Sequence, residues 1–254
     1  MYRKSLMTFA VAALFAASAF AQTADEVIEK NIQARGGLAK IKSVQSIRAT
    51  GKRTFGPGIE APFVIEFARP GKMRLEFVIQ GMTAVITSDG TSGWQLMPFL
   101  GKKEAEAMSD DELKSMKDEA DFDGPYVDYK EKGNQVELLG KVDLEGAPAY
   151  KLKVTKKSGD VETDYFDVDS SLLIQSEGKS MVRGQEVETV TTYGDYKEVD
   201  GGIYFFSSEI KQKGAPGPGS SSITIEKIEI NPTLEADRFG KPASLAAPAA
   251  PQPK

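Results

Sequence analysis

The residues of this chain that could do covalent chemistry are carboxylates and hydroxyls, because its 254 residues include no histidine and no cysteine. That removes the commonest general base, the commonest metal ligand and every thiolate nucleophile. Asp121 and Asp123 have the chemistry of a glycosidase pair. They stand in a Gly-Pro loop with no surrounding motif, and read as solvated loop charge. Asp167-Val168-Asp169-Ser170-Ser171 opens like a calcium loop. Such a loop needs glycine at its sixth position, where this chain has Leu172. Asp110-Asp111-Glu112 suits a helix N-terminus, where the helix dipole favours negative charge. The serines at 220–222 have no G-x-S-x-G frame and no histidine to act as base. The expectation is therefore no catalytic residue, no metal and no cofactor. A carboxylate-dependent hydrolase is the enzymatic alternative.

The start of the chain sets the compartment. Arg3 and Lys4 precede an apolar run over residues 6–20, and Ala19-Phe20-Ala21 gives the small-x-small pattern that a signal peptidase cuts. Residues 1–21 are expected to be removed before Gln22, leaving a soluble periplasmic protein with no cysteine to carry a lipid. The net charge of −5 becomes about −7 without Arg3 and Lys4. An acidic surface argues against nucleic acid and against anionic head groups. One domain is expected over residues 22–241, then an Ala- and Pro-rich disordered tail over 242–254.

Within that domain, Thr23 and Glu26 have capping-box spacing ahead of Val27, Ile28 and Ile32, and Gly36-Gly37 ends the helix. From about Ser43 the apolar period becomes two. Phe63, Ile65 and Phe67 alternate with polar or small residues, as do Met73, Leu75, Phe77 and Ile79, and later Tyr150, Leu152 and Val154. This is the signature of antiparallel strands with one apolar face. Turn pairs such as Glu145-Gly146 and Asp200-Gly201 separate them. A helix is expected over 102–119, with Ser109 and Glu112 as a second capping box. In the last strand Ile223 and Ile225 are out of phase with Ile228 and Ile230, which predicts a bulge near Glu226-Lys227. The stretch 213–222 reads as a mobile Gly-Pro-Ser loop. The sum is a mainly β (α+β) fold: a large, curved antiparallel sheet of about ten or eleven strands. Two helical segments are too little to fill its concave face, so an apolar cavity should remain.

Five segments, in this order, carry a resemblance: "GGLAKIKSVQSIRATGK" at 36–52, "RPGKMRLEF" at 69–77, "DGTSGWQLMPF" at 89–99, "DYKEVDGGIYF" at 195–205 and "IEINPTLEADRFGKP" at 228–242. The chain resembles the bacterial outer-membrane lipoprotein-sorting family, in the superfamily of periplasmic lipoprotein carriers. The resemblance implies an unclosed β-barrel with a helical lid, holding acyl chains of lipoproteins or other lipids on the way to the outer membrane. It also implies an inner-membrane release complex and an outer-membrane acceptor as partners of a monomer. An envelope-stress sensor on the same fold is the alternative binding module. The expected cavity lining is Phe63, Ile65, Phe67, Met73, Leu75, Phe77, Ile79, Met82, Trp94, Met97 and Phe99. Large flexible side chains suit a wall for variable tails. The same residues would equally serve as core against the helices, and Trp94 fits either a cavity mouth or ordinary packing.

Overall fold

The computed structural model describes residues 22–55, 60–182, 185–213 and 220–243. The expected signal segment, most of the Gly-Pro loop and the tail from residue 244 lie outside them. Helix α1 (Ala24–Ala34) begins at the Thr23–Glu26 capping box and leads into a short α2 (Leu38–Ser43). Strands β1 (Ser46–Phe55), β2 (Glu60–Ala68), β3 (Lys72–Ile79), β4 (Met82–Ser88), β5 (Gly93–Leu96) and β6 (Glu106–Ala107) follow. After α3 (Asp110–Glu119) come β7 (Gln135–Leu144), β8 (Ala147–Thr155), β9 (Val161–Asp167), β10 (Leu173–Val182) and β11 (Gln185–Gly194). Last are β12 (Lys197–Val199), β13 (Gly202–Tyr204), β14 (Ser207–Gln212) and β15 (Ser220–Ile230).

Thirteen strands form one sheet in the order β6-β5-β4-β3-β2-β1-β15-β14-β11-β10-β9-β8-β7, and β12 and β13 pair separately. Every pairing is antiparallel. The sheet is not closed: β6 and β7 are its two edges, and the segment carrying α3 runs from one to the other. Tight turns set the hairpins. Glu145–Gly146 and Asp200–Gly201 each hold two residues at positive φ, as a two-residue hairpin loop requires.

The expected bulge is present. The β1–β15 register shifts between Thr50 and Gly51, which face Lys227 and Ile225, so Glu226 is the extra residue. Ile223, Ile225, Ile228 and Ile230 thereby share one face. A Cβ on Gly51 would lie 2.1 Å from the Thr224 carbonyl oxygen, so only glycine fits beneath the bulge.

Two apolar clusters occupy the inner face. Val27 and Ile28 of α1 pack on Leu152, Val154 and Phe166, with Tyr126. Met116 and Ala120, in and just after α3, pack on Met73, flanked by Ile65, Phe67 and Leu75. On the outer face the C-terminal segment crosses β2–β4 as a strap. Arg238 Nε donates to Glu66 at 2.5 Å, and Arg48 Nε donates to the other Glu66 oxygen at 2.8 Å. Thr87 Oγ1 donates to the Phe239 carbonyl at 3.2 Å, and Phe239 itself is buried.

Several expectations are corrected. The helix over 102–119 starts only at Asp110, because Ser109 caps it, and Glu106–Ala107 is instead a short strand on β5. Residues 220–222 belong to β15 and not to a loop. Pro242, the first residue of the expected tail, is buried. Strands exceed the expected number because short ones such as β12 and β13 carry too few residues to show a period.

Candidate functional site

Strand register decides which side chains share the inner face. Phe63, Ile65 and Phe67 stand opposite Phe77, Leu75 and Met73. Leu75, Phe77 and Ile79 stand opposite Ile86, Ala84 and Met82. Phe99 brings its ring to 6.0 Å from that of Phe77, and Phe122 reaches 6.0 Å from Phe67. Met97 directly follows Leu96, one position out of phase with it. Ten of the eleven expected residues thus gather at one side of the fold.

Trp94 does not join them. It pairs with Thr87, which pairs with Arg74, so it lies on the outer face with the C-terminal strap.

The apolar wall is covered by α3. Met108 Sδ and Leu113 approach so closely that a Cβ on Gly93 would meet the sulfur at 2.5 Å. Yet α3 is loosely held. Met116 is its one buried residue, and most of its length is exposed. By contrast α1 buries Val27, Ile28 and Asn31, and Asn31 Nδ2 donates to the Ser171 carbonyl at 2.8 Å.

What fastens the covering segment is a buried ion pair just beyond α3. Arg69 Nη1 and Nη2 donate to the two oxygens of Asp123 at 2.9 and 2.6 Å. The Arg69 Nε donates to the Val44 carbonyl at 2.7 Å, and its guanidinium lies 4.6 Å from the Phe122 ring centre. The Asp123 carbonyl also accepts from Arg35 Nη1 at 2.9 Å. Burial holds the Arg35 guanidinium below its usual range, opposed chiefly by the Asp123 carboxylate. Asp123 is only 2% exposed, so it is no solvated loop charge, and Asp121 is paired with Lys132.

The cleft beside this latch, bounded by Arg35, Ile41, Phe122 and Tyr204, has a volume of about 20 Å³. That is room for about one water molecule, where small-molecule pockets run to about 300–1,000 Å³. In this closed arrangement the cleft does not hold an acyl chain.

The other half of the inner face sets polar groups beside the apolar cluster of Leu152, Val154 and Phe166. Asp164 pairs with Leu152 on one side and Ser176 on the other; Ser176 pairs with Thr191. Tyr193, two residues on, pairs with Ser208. Tyr126, from the segment after α3, donates to Asp164 Oδ2 at 2.7 Å. The other oxygen, Oδ1, is buried without a hydrogen-bond partner. Burial pushes the Asp164 carboxyl up to about 6, although the Ser176 and Tyr126 hydroxyls pull it back.

Sequence reasoning missed Arg69, Asp123 and Asp164 as site residues. Asp164 carried a signal: it is in phase with Phe166 on a strand, where a carboxylate is out of place. The Asp167 loop is a plain turn, its carboxylate accepting from Ser170 N and Oγ at 2.7 Å. Among the described residues no cluster of potential metal ligands occurs, and no helix is long and apolar enough to cross a membrane.

No family model and no curated protein matches this sequence. Solved structures do. A LolA superfamily protein from Nitrosomonas europaea superposes with a TM-score of 0.58 at 12% identity, over 87% of this chain and 99% of the other. The chain shares the fold of that LolA superfamily structure. A putative outer membrane lipoprotein-sorting protein domain from Vibrio parahaemolyticus gives 0.54 at 13% identity, over 84% and 97%. A DUF1329 family protein from Desulfovibrio piger gives 0.56 at 13% identity, over 85% and 96%. At these identities the likeness is one of fold.

Proposed function

We propose that the chain is a periplasmic carrier that shelters acyl chains of lipoproteins or lipids against the inner face of β2–β4, with α3 as its lid. The observation that carries this reading is the mismatch between wall and cover. An apolar half-face is closed by a ten-residue helix that buries one side chain and is fastened just beyond its end by Arg69 and Asp123. Opening such a lid trades the contacts of Met116 and Ala120 for those of a tail. A sixteen-carbon chain gains on the order of 10 kcal/mol against water, at about 0.8 kcal/mol per methylene. A bilayer offers the same, so the net drive from membrane to carrier is near zero. Direction then comes from a loading complex at the inner membrane and an acceptor at the outer membrane. The reading involves no covalent step.

Binding of a fluorescent fatty acid tests it. The wild-type protein should bind the probe, and Leu75→Trp, which fills the space in front of the wall, should abolish binding while leaving the β circular dichroism signal in place. No binding by the wild type, or undiminished binding by Leu75→Trp, would defeat the carrier reading.

A further inference from the structure

A carboxylate buried on the inner face has no use in a purely apolar carrier. Asp164 is 2% exposed, and its Oδ1 has no hydrogen-bond partner. A buried acceptor left unpaired is costly, so a donor supplied to it is favoured. On the same face, among the apolar Leu152, Phe166 and Ile210, stand the hydroxyls of Ser176, Thr191, Tyr193 and Ser208. The cations that share this face or flank it are committed elsewhere. Lys156 is bonded to Glu162 at 2.6 Å, and Arg53, five strands away on β1, approaches Ser221 Oγ at 3.4 Å. Besides the Ser176 hydroxyl on the neighbouring strand, Asp164 is held by Tyr126, which belongs to the same covering segment as Asp123. Movement of that segment would both free the apolar wall and uncover this carboxylate.

We propose that the inner face takes amphiphiles whose head group is an ammonium or a comparable hydrogen-bond donor, seated on Asp164 when the segment bearing Tyr126 lifts, with the tail along the β2–β4 wall. The assignment rests on the carrier reading and names its ligand class. The head replaces the Tyr126 hydroxyl at Oδ2 and supplies the donor that Oδ1 lacks. A carboxylate head would meet like charge at the same place.

Three twelve-carbon probes of equal tail, dodecylamine, dodecanoic acid and dodecanol, separate the possibilities by titration calorimetry at pH 7.5 below their micellar concentrations. Dodecylammonium should bind at least tenfold more tightly than dodecanoate. In Asp164→Asn, which keeps the shape and removes the charge, the ratio should fall to within about threefold. Tyr126→Phe, which removes the competing hydroxyl and leaves Asp164 in place, should tighten the amine relative to dodecanol. An unchanged ratio in Asp164→Asn, or a wild-type preference for dodecanoate, overturns the head-group assignment while leaving the carrier reading standing. Failure of all three probes to bind overturns both.

Discussion

Replacing Asp164 by asparagine should make the protein more stable, and only above a certain pH. The carboxyl titrates near 6 in the fold against an ordinary value of 3.8, because burial disfavours its charge. The folded chain therefore holds the proton more tightly than the unfolded chain. Below about pH 4 both states are protonated and there is no penalty. Between 4 and 6 the unfolded state loses its proton first, so stability falls as pH rises. Above 6 the full penalty persists. The rise from 3.8 to about 6 is worth about 3 kcal/mol. Lys156 and Glu162 lie close enough to alter the charged state, in opposite senses, while Tyr126 and Tyr193 remain protonated throughout this range. Asparagine has the same shape, can still accept from Tyr126, and carries no charge to desolvate. Urea melts at pH 4 and pH 8 measure the difference. At pH 8 the variant should gain up to about 3 kcal/mol, a midpoint shift of about 1 M for a slope of about 3 kcal/mol per M. At pH 4 the difference should shrink to about 0.6 kcal/mol, because the unfolded state has lost its proton only in part there. An equal difference at both pH values, of either sign, would show that this carboxyl titrates normally, and the desolvation argument would fail.

Two further outcomes follow from packing. Arg238→Ala removes one of the two cations on the buried Glu66 and releases the strap, and should cost about 2–3 kcal/mol, measured by denaturant unfolding. Gly51→Ala drives a methyl to 2.1 Å from the Thr224 carbonyl and should separate β1 from β15, seen as loss of amide-exchange protection in those two strands before any other.

Much of this arrangement was legible in the sequence because period two is a local property. The alternation in residues 63–67 and 73–79 shows which side chains share a face on each strand, and the phase break at Glu226-Lys227 marks the bulge. Both capping boxes have the predicted bonds, because Thr23 and Ser109 interact three residues along the chain. Phase relative to a different strand is not local. Trp94 sits in a four-residue strand, and which face it takes depends on pairing with Thr87. The latch escaped for the same reason: Arg69 and Asp123 are 54 residues apart, and nothing near either announces the other. Helix α2 has only six residues, too few to show a helical period.

The sheet order also says something about how the chain is made. Strands β1 to β6 zip up as consecutive neighbours, and so do β7 to β11, but the two halves meet only where β1 pairs with β15, the last strand synthesised. Until β15 arrives, β1 is a bare edge ten residues long, open to pairing with another chain. Its sequence is suited to that wait. Arg48, Lys52 and Arg53 put three positive charges along it, and Gly51 weakens it as a template for any strand that lacks the matching bulge. The glycine that fits β15 so closely therefore also discourages other partners while the seam of the sheet stands open.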